Sequence, residues 1–250
     1  QRAAGVARRI YANDEAISLL RRALALLEQV PNALNRTQQE LALQTSLGGP
    51  LVARKGYGAS DVIKVYTRAR TLCQKLNKPA SPPILRALAL AHLVQGELHE
   101  SYNLGRQLLS LAQQNQDPVL RVEAYYVLGV TLFWQGQFVT AREHLEQALH
   151  NYDTSRHDAH ISQYTQNPQV VCLTRLAVTL WFLGFPDQAL ETSRRAWEMA
   201  HKLGHPFSLA YVWHWTVWLH NLRDEVEVAQ ELANQAIAFA TEQGFPYWYT

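Results

Sequence analysis

The sequence is short of the residues that mark secreted, membrane-spanning or disordered chains. It has two cysteines in 250 residues, Cys73 and Cys172. Both lie in apolar stretches far apart in the sequence, which predicts buried thiols rather than a disulfide and favours a reducing, cytoplasmic compartment. No apolar run reaches about 18 residues and no signal peptide is recognisable, so we expect neither a membrane span nor secretion. Glycine and proline number 12 and 10, and apolar residues make up 48%, as in folded helical chains.

A large excess of charge is also lacking. The 23 basic and 21 acidic residues leave a net charge of +2. Proteins that bind nucleic acid through its phosphates concentrate Lys and Arg far beyond this balance. We therefore expect neither a nucleic-acid partner nor a membrane partner.

Signatures of catalysis are missing as well. The sequence contains no G-x-x-x-x-G-K-[ST], G-x-G-x-x-G or G-x-S-x-G, so we can place no phosphate-binding loop and no serine nucleophile. The densest histidine cluster, His157-Asp158-x-His160, lacks the second ligand pair that a zinc site requires. Its simpler interpretation is a set of polar loop residues that cap helix ends. We expect a chain that is not an enzyme and holds no cofactor and no metal.

What the sequence does contain is a helical hairpin motif. Tyr125-x-x-Leu128-Gly129-x-x-Leu132 is followed by Ala141-x-x-x-Leu145. This order resembles the tetratricopeptide (TPR) pattern W-x-x-L-G-x-x-Y…A-x-x-x-F. The small residues at Gly129 and Ala141 let two antiparallel helices approach closely, while the large residues fill the seam.

The motif recurs along the chain. Counterparts of Ala141 follow one another at 46, 39, 40, 48 and 40 residues; in chain order the set is Ala16, Val62, Ser101, Ala141, Ala189 and Ala229. This spacing predicts an all-α, TPR-like right-handed superhelical solenoid of antiparallel helix pairs with a period of about 40 residues. We expect residues 1–250 to form one such solenoid of about six units. The first and last units look incomplete and lack polar caps, so we also expect a fragment of a longer protein.

Proline and glycine place the helix boundaries. Asp117-Pro118, Asn167-Pro168, His205-Pro206 and Phe245-Pro246 place a proline at the first helical position. Asp117 and Asn167, just before it, are also good N-caps. Glycines at 96, 136 and 184 mark the turn inside a pair. The predicted helices span 14–29, 37–54, 60–77, 81–95, 97–115, 118–135, 137–151, 168–183, 187–203, 206–221 and 225–243. The connection 151–167 is long and is predicted to fold over one edge of a binding groove.

Further motifs extend the resemblance over essentially the whole chain. They are Leu51-x-x-x-Lys55-Gly56-Tyr57, Gly96-Glu97-Leu98, Gly129-x-x-Leu132-Phe133-Trp134-x-Gly136, Tyr152-Asp153-x-x-x-His157, Gly184-Phe185-Pro186-Asp187-Gln188-Ala189 and Ala240-x-Glu242-Gln243-Gly244-Phe245-Pro246. Together they resemble the TPR region of large bacterial signalling ATPases, in which a class III cyclase or kinase domain and an AAA/STAND-type ATPase module precede the repeats. The resemblance implies a scaffold or sensor region. It carries over no catalytic residue.

Aromatic residues concentrate on the first helices of the C-terminal pairs. Counting TPR positions places eight side chains on the predicted concave face: Tyr126, Phe133, Trp134, Trp181, Phe182, Tyr211, His214 and Trp218. Such stripes are usually core, but Tyr and Trp also serve as anchors for bound partners. Both interpretations remain open at this point.

Two functions follow from these observations. The first is a module that binds a protein or peptide segment, possibly from the same parent chain, and regulates attached catalytic domains. The second is a small-molecule receptor of the kind found in STAND regulators. A buried polar cluster around Tyr211 and His214 would favour the small molecule, and an exposed aromatic strip would favour the peptide.

Overall fold

The computed structural model describes residues 13–29, 33–164 and 166–248, and within these ranges the chain is helical without strands. The twelve helices of these ranges are α1 Asn13–Leu27, α2 Ala33–Lys55, α3 Ser60–Lys75, α4 Pro82–Val94, α5 Leu98–Gln114, α6 Pro118–Trp134, α7 Phe138–Asn151, α8 His157–Tyr164, α9 Pro168–Phe182, α10 Pro186–Leu203, α11 Pro206–Leu222 and α12 Val226–Gln243. Short 3-10 turns cover Thr154–Arg156 and Pro246–Trp248. The predicted boundaries agree within two residues, except that α2 begins four residues early.

The helices fall into two compact units, Gln1–Gly96 and Glu97–Thr250. In the first unit, α1 contacts α2, α2 contacts α3, and α3 contacts α4. The closest approach is at Gly48 on α2, where an added Cβ would lie 2.2 Å from Cζ of Tyr66 on α3. Close helix packing therefore accounts for the glycine at position 48. The interpretation of residues 1–250 as one solenoid stays a prediction.

The second unit holds the seam that carries the TPR pattern. A Cβ on Gly129 of α6 would lie 2.7 Å from Cγ of Leu145 on α7, and both Ala141 and Leu145 are fully buried. No larger residue than glycine fits at position 129 without displacing Leu145. The prediction that Gly129 and Ala141 let α6 and α7 approach closely is confirmed.

Within this second unit the first helices of successive pairs contact each other. Helix α9 packs against both α6 and α11, while α7 and α10 flank it as the second helices of the pairs. The starts of α6, α9 and α11 are fixed by side-chain caps. Asp117 accepts the backbone N–H of Leu120 at the start of α6, and Asn167 accepts that of Val170 at the start of α9. His205 accepts the backbone N–H of Ser208 at the start of α11. These caps and the prolines that follow them set where the aromatic residues of the three helices lie.

The connection between α7 and α9 differs from the prediction of a loop. Its residues form the turn Thr154–Arg156 and the two-turn helix α8. Little in the sequence indicates α8, because the segment is short and most of its residues are polar. Helix α8 is attached through His160, which is buried and lies against Glu123 of α6. His160 is therefore a packing residue and not a loop residue that caps a helix end.

Candidate binding site: an aromatic cluster around a buried arginine

Six aromatic side chains from α6, α7, α9 and α11 meet in one place, which we call the aromatic cluster: Phe133, Trp134, Phe138, Phe182, Trp215 and Trp218. Phe133 lies at its centre, with ring centroids 5.6 Å from Phe182 and 6.2 Å from Trp218. Trp134 stacks on Trp218 at 6.3 Å. Edge-to-face and stacked contacts of this kind add to the stability gained from burial.

The aromatic cluster is buried on one side and exposed on the other. Phe133 is only 4% exposed and belongs to the hydrophobic core with Leu128 and Val178. Trp134 and Phe182 are 49% and 43% exposed. Large apolar side chains grouped at a surface in this way are typical of binding sites. The cluster is therefore both core and surface, so each of the two interpretations of the aromatic stripe applies to part of it.

The structure connects seven of the eight side chains that the sequence placed on the concave face. Phe133, Trp134, Phe182 and Trp218 lie in the aromatic cluster. The ring of Trp215 links it to Tyr211 and His214, with centroid distances of 6.1 and 5.3 Å. Tyr126 joins through a hydrogen bond with Tyr211.

Trp181, the eighth residue, packs elsewhere. Its ring lies against the guanidinium of Arg223, 5.8 Å from the ring centroid. Phe182 is the next residue and points about 100° further round the helix, so Phe182 contacts the aromatic cluster and Trp181 does not. The use of any of these residues in binding stays a prediction.

The centre of the site is a residue that sequence analysis did not select, Arg175 of α9. Its side chain is 2% exposed. The guanidinium carbon lies 3.8 Å from the ring centroid of Trp215, 4.6 Å from that of Phe133 and 5.5 Å from that of Trp134. The sequence did contain a feature that could have identified Arg175, because it is the single charged residue in the apolar run of α9.

The Arg175 guanidinium is incompletely paired. Among the described residues, its Nε and Nη2 atoms are buried without a hydrogen-bond partner. The favourable neighbours of its charge are the hydroxyls of Tyr211 and Tyr126. Cation–π contacts with desolvated rings contribute about 2 kcal/mol each, whereas burial of an ion costs several kcal/mol. The rings therefore offset much of the cost of burial but leave two strong donors unused.

Burial sets the electrostatics of this site. Desolvation lowers the pKa of Arg175. Desolvation also raises the pKa of Tyr211, and the positive charge of Arg175 opposes part of that rise. An arginine keeps its charge even so, because its ordinary pKa is far above neutral. The indole Nε1 of Trp248, whose ring contacts that of Tyr211, is a further buried donor without a partner among the described residues.

A polar network lies where α8 meets α6. His160 Nδ1 is 2.8 Å from Glu123 Oε1, and both side chains are buried. Asn167 donates through Nδ2 to Nδ1 of His157, at 2.8 Å, and to the Tyr152 hydroxyl, at 3.0 Å. The network fixes α8 and the start of α9 to α6. It uses the histidines that the sequence had offered as a metal cluster.

Neither a metal-holding cluster nor a membrane-spanning helix is found among the described residues. Across residues 13–29, 33–164 and 166–248, no group of three or more His, Cys, Asp or Glu side chains is placed to hold a metal ion. None of the described helices combines the length and the hydropathy that crossing a membrane requires.

The fold is that of a TPR-like helical repeat protein. Comparison with solved structures supports this class, and the all-α TPR-like prediction is confirmed.

Among the similar structures is BtubC (BKLC) from P. vanneervenii, which has a TM-score of 0.57 at 15% sequence identity, with 92% of each chain covered. A putative kinesin light chain of P. anserina with nearly identical TPR-like repeats has a TM-score of 0.50 at 19% identity, over 81% of this chain and 96% of that one. A single-substitution variant of that kinesin light chain gives 0.51 at 18%, over 81% and 95%. No known protein family matches the sequence, and no curated protein does either. At these identities the likeness concerns the fold alone.

Proposed function

We propose that this chain is a protein-interaction module whose aromatic cluster binds an apolar segment of a protein partner. The observation that supports it most is that Trp134 and Phe182 are exposed while their rings contact the buried ring of Phe133. Exposed aromatic side chains held rigidly by buried neighbours are typical anchors of an interface. The chain is not an enzyme in this proposal, since its sequence contains no G-x-x-x-x-G-K-[ST], G-x-G-x-x-G or G-x-S-x-G motif.

The wider role of the module rests on the family resemblance. We place it in a cytoplasmic bacterial signalling protein, where occupancy of the site regulates an attached ATPase or cyclase. The bound segment can come from the same parent chain. Neither nucleic acid nor membrane is a partner in this proposal, since the net charge is only +2.

A selection with a matched pair of variants tests the binding proposal. A phage-displayed library of random dodecapeptides is selected on the chain, and the affinities of enriched peptides are measured by calorimetry. Phe182→Ala should weaken them about 30-fold, the effect of losing an aromatic anchor worth about 2 kcal/mol. Phe185→Ala is the control: this ring is 41% exposed and lies beside Arg142, but it is not one of the six rings of the aromatic cluster.

Further outcomes sharpen the test. Trp134→Ala should weaken the same peptides, and Trp181→Ala should not, because Trp181 contacts Arg223 instead. Equal losses for Phe182→Ala and Phe185→Ala, or failure to enrich any peptide, would contradict the proposal.

A second function, the small-molecule receptor, is favoured by one specific observation. Arg175, Tyr211 and Tyr126 form a buried polar group inside the aromatic site, and pockets of this composition bind small ligands. Enrichment of no peptide, together with tight binding of a small aromatic acid, would favour the receptor over the interaction module.

A further inference from the structure

We infer that Arg175 is the anchor for a carboxylate of the bound partner, and that Trp134 moves to admit it. This inference rests on the proposed binding function and names the chemistry that the site selects. The starting point is the unused edge of the guanidinium, formed by Nε and Nη2.

The geometry leaves that edge suited to one kind of group. The rings of Trp215 and Phe133 contact the guanidinium within 5 Å of its central carbon. Rings in such contacts compensate charge but accept no strong hydrogen bond. The two donors Nε and Nη2 are parallel and coplanar in every arginine, and they match the two oxygens of a carboxylate.

Charge balance favours a carboxylate over a phosphate. The basic side chains that contact the rings of the site, among the described residues, are the guanidinium of Arg175 and the imidazole of His214. Desolvation and the charge of Arg175 both lower the pKa of His214. A single positive charge is neutralised by a single carboxylate. A phosphate monoester carries close to two negative charges. Arg175 would neutralise one of them, and the second would lie unpaired among aromatic rings.

Of the three rings that contact the guanidinium, that of Trp134 belongs to the most exposed residue. This residue is the last of α6 and precedes the turn at Gly136. Its indole lies 5.5 Å from the guanidinium carbon and is half exposed, whereas Phe133 and Trp215 are held more deeply in the unit. Trp134 is therefore the side chain whose displacement, in this inference, opens the site without movement of a helix.

The test uses a charged probe and its uncharged twin. Binding of indole-3-propionate and of indole-3-propionamide is measured by calorimetry on the 250-residue chain, at up to about 10 mM. We expect the acid to bind at least tenfold tighter than the amide, because two charge-assisted hydrogen bonds form only with the acid. Arg175→Met should abolish that difference, and Arg175→Lys, which keeps the charge but lacks the fork, should reduce it strongly.

Arg223→Met provides the matched control. Arg223 also lies over an indole ring, that of Trp181, but its charge is already paired with Glu225. This variant should leave the preference for the acid unchanged. Trp134→Phe should retain the preference for the acid.

Peptides separate this inference from the proposed function. If the dodecapeptides of the selection bind and their Asp→Asn or Glu→Gln versions bind equally well to wild type and Arg175→Met, the interaction module survives and the inference is overturned. If no peptide binds but the acid does so through Arg175, the carboxylate site stands and its source is a small molecule. If neither probe nor peptide shows a preference that depends on Arg175, the guanidinium serves only to pack against the rings.

Discussion

Protonation of His205 should destabilise the fold at mildly acid pH. This imidazole caps α11: Nδ1 accepts the backbone N–H of Ser208 at 3.2 Å and lies 2.9 Å from its hydroxyl. Only a neutral ring can accept a hydrogen bond there. Desolvation, aided by the nearby His157, lowers the pKa of His205 from 6.5 to about 4.

The effect of pH on the free energy of unfolding follows from the difference between the pKa of His205 in the folded and in the unfolded chain. Between pH 6.5 and about 4 the unfolded chain binds a proton at this histidine and the folded chain does not, so stability is complete above pH 6.5 and is lost as the pH falls towards 4. Each pH unit is worth about 1.36 kcal/mol. His205 should therefore remove about 2 kcal/mol from the free energy of unfolding at pH 5, and about 3 kcal/mol once the pH is below 4.

The assay is urea denaturation of wild type and His205→Asn at pH 7.5, 6 and 5. Asparagine caps a helix as well as histidine or better and does not titrate in this range. Histidines such as His144 and His214, whose pKa values are also lowered by burial, are present in both proteins and cancel in the difference. The wild-type free energy should fall relative to the variant by about 2 kcal/mol between pH 7.5 and 5. Parallel pH profiles would refute the assignment of a neutral capping role to His205.

Two further substitutions test the packing described above. Gly129→Ala should cost about 1–3 kcal/mol in urea denaturation, since its Cβ would meet Leu145; the cost should be much smaller in a Leu145→Ala background, and additive effects would contradict the close approach. His160→Ala should cost about 3 kcal/mol by leaving Glu123 without this partner, and should raise hydrogen exchange across 157–164. His150→Ala, at an exposed position of α7, should change neither quantity.

Helix boundaries and the seam were predictable because they depend on local chemistry. Pro118 and Pro168 fix backbone angles, and Asp117 and Asn167 cap the next turn; none of these effects needs a distant contact. Gly129 was predictable for a related reason, since the repeat pattern names the position where two helices touch. Much of the fold is therefore encoded within stretches of a few residues.

The parts that escaped prediction depend on distant contacts. Helix α8 is mostly polar, and one of its two buried side chains is a histidine that meets a carboxylate 37 residues earlier in the chain. Arg175 escaped because a charge within an apolar helix is informative only when its surroundings are known. Repeat counting does not place Trp215 among the eight side chains of the concave face, although its ring lies closest to the guanidinium. Counting repeat positions locates a helix face but does not say which large side chain turns into the interior.

The contact between His160 and Glu123 also bears on how the second unit unfolds. In a repeat protein most contacts join neighbouring repeats, so repeats at an end can open while the rest stay folded. This contact spans all of α7 and ties α8 back to α6. Opening α8 and the start of α9 must therefore break a bond to α6 as well. We expect residues 118–182 to open as one cooperative block, and fraying to stop at its edges.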